Sequence, residues 1–197
     1  MLKLIKKYDP LVVAILLLSF VLGSIPFGFL LMKIHAKTDV RTIGSGNIGA
    51  TNVMRSGHAS LAVITLLCDS MKGYLSVLLA PNDMAVYCGV LSILGHVFSP
   101  WLKGKGGKGI ATALGVYCAF SWKVGVLCLL TWVIFFKVFK KSSTSGLLSM
   151  AFAPLWAFLF LEESMYISAM VGIFWLCVWT HRDNLKRLIH KKELDVS

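Results

Sequence analysis

The chain has 197 residues, 57% hydrophobic and only 15% charged, with a mean hydropathy of +0.76 and a formal net charge of +11. Soluble domains carry about 25% charged residues and a smaller apolar share, so this composition excludes an ordinary soluble domain and indicates a membrane protein. The excess of positive charge does not point to nucleic acid: most Lys and Arg sit in short segments between apolar runs, as in loops at a membrane face.

A helix of about 20 apolar residues crosses a bilayer. The first such span is Pro10–Lys33, interrupted at "GSIPFG", where Pro26 removes a backbone donor and bends the helix near Gly23 or Gly28. It reads as a retained helix rather than a signal peptide, because the apolar run continues without a small-x-small cleavage site. A polar loop, His35–His58, follows. The second span is Ala59–Ala80, Pro81–Asp83 is a tight turn, and the third span is Met84–Leu102, ended by Lys103–Gly109. The 30 residues Ile110–Phe139 exceed one span, and Ser121–Lys123 offers a break, giving two helices of which the first is short. A polar loop at Lys137–Gly146 precedes the last two spans, Leu147–Leu161 and Met165–Thr180, and a basic tail, His181–Ser197, closes the chain.

The expectation is therefore an all-α integral membrane protein, a single domain over residues 1–197 with seven transmembrane helices and no internal repeat. On that topology one face holds 15 Lys and Arg, in segments 33–55, 103–108, 137–141 and 182–192, and the other holds Lys3, Lys6, Lys7 and Lys123. The richer face is expected to be cytoplasmic, with the N-terminus outside and the C-terminus cytoplasmic, although the three N-terminal lysines argue the other way.

The unusual polar sequence all falls on that face. In "GSGNIGATN" the glycines Gly44, Gly46 and Gly49 match G-x-G-x-x-G, and Asp69 lies 20 residues beyond, where a dinucleotide site wants an acid. That motif needs a strand before it and a helix after it; here a membrane span precedes it, and Asp69 falls inside the next span, three residues before Lys72, with which it is expected to pair. What survives is the anion chemistry. The glycines Gly44, Gly46 and Gly49 let backbone N–H groups turn toward one anion, Ser45, Asn47, Thr51 and Asn52 add neutral hydrogen-bonding groups, and Arg55 adds a planar cationic fork. The alternative is a flexible linker.

"GKGGKGIAT" is a second candidate anion loop, with Lys103, Lys105 and Lys108 as point charges, Gly106 and Gly107 leaving the backbone open, and a helix starting near Ile110. It is not a Walker A loop, since Gly109 follows Lys108; the plainer reading is a positively charged topology loop. In "KKSSTSG" the hydroxyls of Ser143 and Ser145 either cap a helix or touch substrate. His181 and Asn184 in "THRDN" share a helical face; His181 is a candidate general base, a phosphate partner or an interfacial residue. His96 reads as a packing residue, and the five cysteines as small apolar side chains without a disulfide framework. No cluster has metal-ligand spacing, so neither metal nor cofactor is expected, and the H-x-x-x-x-D pattern of acyl-CoA-dependent glycerolipid acyltransferases is absent.

"GSIPFG", "GSGNIGATNVMR", "LGHVFSPWLKGKGGKGIATALG" and "HRDNLKRL" occur in this order. In them the chain resembles the bacterial acylphosphate:glycerol-3-phosphate acyltransferase family, the PlsY type, over nearly its whole length. The resemblance implies a multi-pass enzyme of the bacterial inner membrane with its site on the cytoplasmic side. It implies transfer of an acyl group from a long-chain acyl phosphate, supplied by a separate soluble enzyme, to glycerol 3-phosphate, giving lysophosphatidic acid and phosphate. Matched position by position, it gives functional roles to Ser45, Arg55, Lys108, His181 and Asn184. The serine-bearing loop departs from the usual "SLAS": Ser143 or Ser145 supplies the contact, or Gly146 stands there without a hydroxyl. Thr180 stands where an arginine is usual. The rival reading is a transporter or channel for a small phosphorylated anion, which would show polar residues at mid-bilayer, such as Asp69, Lys72 and His96, and internal pseudo-symmetry.

Overall fold

Where water is absent, backbone donors and acceptors must be satisfied within the chain, and apolar segments of this length do so as helices. The structure, a computed structural model, describes residues 9–195, so Lys3, Lys6 and Lys7 of the charge count lie outside the described residues. Regular structure among the described residues is entirely helical. In chain order the α-helices are α1 (Pro10–Ser24), α2 (Phe27–His35), α3 (Ala50–Arg55), α4 (Ala59–Leu78), α5 (Ala85–Val97), α6 (Ile110–Phe120), α7 (Trp122–Phe139), α8 (Ser142–Phe160), α9 (Ser164–Thr180) and α10 (Arg182–Ile189), with 3-10 turns at Val40–Thr42, Asn82–Met84 and Pro100–Leu102.

Four segments are long and apolar enough to cross a membrane: Ala59–Leu78, Ala85–Leu102, Trp122–Phe139 and Ser142–Phe160. Two bent pairs, α1–α2 at 43° and α9–α10 at 61°, also qualify if each counts as one span. The first bend falls at Ile25–Pro26, inside "GSIPFG". The break in the long apolar stretch falls at Ser121, leaving α6 with 11 residues.

The sequence reading is corrected in three places. The polar loop expected at Lys137–Gly146 shrinks to Lys140 and Lys141: α7 runs on to Phe139, Lys140 turns left-handed (φ +56°), and α8 starts at Ser142. Its serines stay helical because the Ser145 hydroxyl bonds back to the Lys141 carbonyl one turn earlier (2.8 Å). The loop His35–His58 is folded, holding a 3-10 turn and α3. The tail is not merely basic, since α10 forms there.

Two close helix crossings set the frame. α1 and α5 meet so that a Cβ on Gly23 would lie 2.1 Å from the Ser92 carbonyl oxygen, and one on Gly95 2.2 Å from that of Phe20. α4 and α6 repeat the device: a Cβ on Gly73 would meet the Thr112 oxygen at 2.2 Å, and one on Gly115 the Ser70 oxygen at 1.8 Å. Small residues that let backbones approach are how helices associate where no hydrophobic force separates interior from lipid. The surface is correspondingly apolar, with Leu17, Leu67, Phe158 and Trp175 exposed, while Ser76, Ser92, Thr65 and Thr112 are buried. A second core around Tyr117, Met150, Met170 and Ile173 joins α6 to α7, α8 and α9.

Gly115→Ala is expected to lower the melting temperature of the detergent-solubilised protein by several degrees, since its new methyl meets backbone. Gly172→Ala, with nothing within 4 Å of the new methyl, is expected to leave it unchanged or raise it slightly. Differential scanning fluorimetry of both variants checks the pair.

Candidate active site

The first loop is built around one buried side chain, Asn52, which is 2% exposed. Its Nδ2 donates toward the carbonyls of Val40, Ile43 and Asn47 (2.9, 2.9 and 2.8 Å), and its Oδ1 accepts from the Ser45 N–H (2.9 Å). Asn52 thus shapes the loop and has no capacity left for an anion. Gly44 and Gly46 sit at φ +53° and +70°, where a side chain is strained, and let the chain fold around it. Gly46 donates to Ile43 (2.9 Å) and Gly49 to the Asn47 side chain (2.9 Å). Among the described residues, the N–H groups of Asn47, Ala50 and Thr51 have no protein acceptor, and all three residues line a cavity of about 140 Å³.

The second loop is pinned the same way. Ser99 Oγ donates to the Ser24 carbonyl (2.7 Å), Trp101 Nε1 donates to Ser24 Oγ (2.8 Å), and Lys103 and Gly104 turn left-handed at φ +55° and +77°. The expected anion donors Gly106 and Gly107 instead cap the end of α5, donating to the carbonyls of Val97 and His96 (3.0 Å each). The open amides lie just beyond: at the start of α6, Gly109, Ile110 and Ala111 donate to no protein acceptor among the described residues, and all three line the cavity. A helix N-terminus with unpaired amides carries about half a positive charge. Lys108 precedes them, its carbonyl held by Thr180 Oγ1 (3.1 Å). Thr180 therefore acts as a support for the loop.

Ser45, Asn47, Arg55, Lys108, Ser143, His181 and Asn184 all line this cavity. Ser45, Gly46, Asn47, Lys105, Gly106, Gly107, Lys108 and Asn184 line an adjoining one of about 250 Å³. Neither cavity reaches Gly44 or Ser145, which is fully buried with its hydroxyl on Lys141.

Charge in the site is dense and mixed. Lys108 Nζ donates to Asn184 Oδ1. Burial, with Arg187 and Arg55 nearby, pushes the Lys108 ammonium down to about 8. His181, 3% exposed, sits at the bend between α9 and α10. Its Nδ1 donates to the Cys177 carbonyl (2.8 Å), which can only accept, so Nε2 carries the lone pair of the neutral ring. Burial, then the Lys108 charge, pushes this imidazole down to about 4.

Sequence reasoning missed Glu193. It is 6% exposed and lines the cavity. Its carboxylate accepts from Ser143 Oγ (2.8 Å), Asn184 Nδ2 and Arg187 Nε (2.8 Å), and those hydrogen bonds hold it below the usual carboxylate range despite burial. The backbone after it reaches Arg55, whose Nε donates to the Asp195 carbonyl (2.6 Å) and Nη2 to that of Leu194 (3.0 Å). Read as a basic tail, this segment gave no signal beyond one carboxylate among lysines. Asp39, isolated in sequence, pairs with Arg41 (2.6 Å), which holds its carboxyl at about 2 and away from the cavity. Among the described residues, no three His, Cys, Asp or Glu side chains could share a metal ion. The expected pair does form: Lys72 Nζ stands 2.8 Å from Asp69 Oδ1.

The arrangement thus offers two sets of open amides, two cations and a neutral imidazole around one cavity, groups suited to anions and a ring nitrogen that can accept a hydrogen bond. A family model described as glycerol-3-phosphate acyltransferase matches residues 13–191. The glycerol-3-phosphate acyltransferase of Pelagibacter ubique is 43% identical over 178 residues, 89% of this chain and 92% of its own. That of Bartonella henselae is 41% identical over 188 residues, 91% of this chain and 89% of its own. Among solved structures, PlsY (YgiH), an integral membrane glycerol 3-phosphate acyltransferase, superposes in its glycerol 3-phosphate form with a TM-score of 0.89 at 31% identity, covering 93% of this chain and 94% of that one. Its lysophosphatidic acid form gives 0.86 at 30% identity over the same shares. With sequence, family model and fold in agreement over nearly the whole described chain, the protein belongs to the glycerol-3-phosphate acyltransferase family.

Proposed function

We propose that the protein transfers a fatty acyl group from a long-chain acyl phosphate to the sn-1 hydroxyl of glycerol 3-phosphate, releasing lysophosphatidic acid and inorganic phosphate. The observation that carries this reading is the convergence of α3 and α6 N-terminal amides, Arg55, Lys108 and His181 on one cavity. The relatives' activity and the ligands named for the two solved forms support the acceptor and the product. The donor is what the resemblance to the PlsY type implies, and a site built from amides and cations is compatible with a donor that carries its own phosphate. A separate soluble enzyme would supply that acyl phosphate. The protein works as a multi-pass bacterial inner-membrane enzyme with seven spans, α1–α2 counting as the first and α6 as a short fourth. Its N-terminus is outside, and its C-terminus and site are cytoplasmic; the Lys and Arg of the glycine loops and of α10 support this orientation.

Arg55, Ser45, Thr51 and the amides of Asn47, Ala50 and Thr51 hold the glycerol phosphate. The amides of Gly109 to Ala111 hold the acyl phosphate, and Lys108 lies between the two anions. Lys105, in the adjoining cavity, adds charge at the entrance, and Ser143 and Asn184 complete the wall. The glycerol hydroxyl attacks the acyl carbon, the bond from that carbon to the phosphate oxygen breaks, and the hydroxyl proton passes to the departing phosphate. Phosphate, with a second ionisation near 6, is the better acceptor than an imidazole held at about 4. His181 Nε2 therefore orients the attacking hydroxyl, and most of the acceleration comes from positioning and from the positive field at the leaving group.

The decisive test supplies purified protein with labelled glycerol 3-phosphate and either palmitoyl phosphate or palmitoyl-CoA. Lysophosphatidic acid is expected from the acyl phosphate alone; product only from palmitoyl-CoA would refute the donor. Arg55→Ala and Lys108→Ala are each expected to lower kcat/KM by about 100-fold or more, the loss that follows removal of a charged phosphate contact, with unchanged circular dichroism.

The pH dependence has a defined sign. Free Lys108 loses its proton above about pH 8, so kcat/KM is expected to fall on that alkaline side. In Lys108→Arg the fall should move to higher pH, because arginine stays charged. His181→Asn is expected to lower kcat while leaving the shape of the pH profile unchanged, since the imidazole does not take the proton. A lost acid limb in that variant would make His181 the base.

A further inference from the structure

The tail residues Leu194 and Asp195 have no part in the acyl-transfer reading, yet they grip one of its cations. Arg55 ends α3, and its guanidinium meets the tail along one edge. Nε donates to the Asp195 carbonyl (2.6 Å) and Nη2 to the Leu194 carbonyl (3.0 Å). A guanidinium carries five N–H groups in a rigid fork. Two are taken here, and the other three, on Nη1 and Nη2, have no protein acceptor among the described residues. Those three form the outer end of the fork, where two parallel N–H groups suit a phosphate. Arg55 lines the main cavity. The tail thus takes one edge of the fork and leaves its end open.

Lys141 holds the tail in turn. Its Nζ donates to the Glu193 carbonyl and to the Asp195 carboxylate (2.7 Å each), so it grips the chain on both sides of Leu194. Lys141 immediately precedes α8, so three tail residues join the start of α8 to the end of α3. The same two helices meet directly where the Thr51 and Ser142 hydroxyls lie 2.8 Å apart. Stability does not account for the Lys141–Asp195 pair: its side chains are 27% and 62% exposed, and exposed pairs contribute little. What the pair does fix is the place of two backbone carbonyls against a guanidinium. An arginine loses rotamer freedom when it grips a ligand, and fixing it beforehand removes that cost from binding.

We propose that Lys141, Leu194 and Asp195 are positioning residues for the glycerol phosphate site. Lys141 staples the tail, the tail backbone holds one edge of Arg55, and the free end of the fork is thereby fixed for the phosphate of glycerol 3-phosphate. The inference rests on the assignment of that phosphate to Arg55.

The test measures the purified protein with glycerol 3-phosphate and palmitoyl phosphate, or palmitoyl-CoA should the wild type use only that donor, with melting temperatures in parallel. No turnover by the wild type with either donor rejects the acyl-transfer reading, and the inference with it. Arg55→Lys is the reference variant, expected to raise KM for glycerol 3-phosphate at least about tenfold, since an ammonium does not reproduce the fork. An unchanged KM there takes Arg55 out of the phosphate site and rejects the inference, while acyl transfer itself stands. Ending the chain after Glu193 is expected to raise KM for glycerol 3-phosphate about tenfold and to change kcat and the donor KM less than about twofold, the signature of a misplaced binding group. Lys141→Met and Asp195→Ala are each expected to raise the same KM about threefold, and together no more than Lys141→Met alone, because they open one clamp. Lys141→Arg, which keeps the donors, is expected to stay within about twofold of the wild type. Four results would overturn the proposal: an unchanged KM in the shortened chain and both point variants; a lower KM or higher kcat, which would make the tail a plug; additive costs of the two point variants; or equal losses on kcat and both KM values that track a lowered melting temperature. Should the shortened chain fail to fold, Lys141→Met and Asp195→Ala decide the matter, since neither side chain is buried.

Discussion

Within a bilayer every backbone donor and acceptor needs a partner, and that constraint decides where this chain can bind an anion. Through the helices the amides are all committed. Free amides gather where a helix begins, and the cavity collects two beginnings, those of α3 and α6, with the loop amide of Asn47 beside the first. The loops that lead into them use their own amides otherwise: Gly46 and Ser45 close the first loop, and Gly106 and Gly107 satisfy the end of α5. The glycines are therefore scaffolding. They fold the chain tightly enough to bring two helix N-termini to one cavity, and those N-termini supply the field that a phosphate would meet there.

Close approach of helices is the second half of the same device. α4 and α6 cross with glycine against backbone at Gly73 and Gly115, and the first residues of α6 line the cavity. Only 11 residues long, α6 ends at Ser121, and α7 folds back against it, since a Cβ on Gly125 would lie 2.7 Å from the Cys118 Cα.

Much of this was legible in the sequence. Hydropathy and Pro26 gave the helices and the first bend, Ser121–Lys123 gave the second break, and the Asp69–Lys72 spacing gave the pair. The loops that would carry the chemistry were legible too, because glycine density has no use in a plain connector. Which groups in them face the ligand was not. Asn52 looks like any polar loop residue, yet its four hydrogen bonds run inward. Ser143 and Ser145 look equivalent, but helical geometry turns one toward Glu193 and the other back onto Lys141. Glu193 was hidden because the contact that matters, from the tail to the start of α8, joins residues 50 positions apart. Separations of that size leave no local pattern.

Glu193 and the residues after it resolve the electrostatic difficulty of such a site. Arg55, Lys108, Lys141 and Arg187 converge near one small volume, and without counter-charge their mutual repulsion would oppose folding. The effect is already visible in Lys108, whose ammonium is pushed down by burial and by Arg187 and Arg55. The tail offsets it in two ways. The Glu193 carboxylate takes Arg187 while tying together Ser143 and Asn184, and its neighbours engage the other cations: Lys141 reaches the Glu193 carbonyl and the Asp195 carboxylate, and Arg55 the Leu194 and Asp195 carbonyls. Carbonyls carry no net charge, so Arg55 is hydrogen-bonded without being neutralised, and Lys108 faces only the amide of Asn184. The two cations left without a carboxylate of their own are those that line the cavity beside the open amides, so the positive charge the fold leaves uncompensated lies where two phosphates would sit.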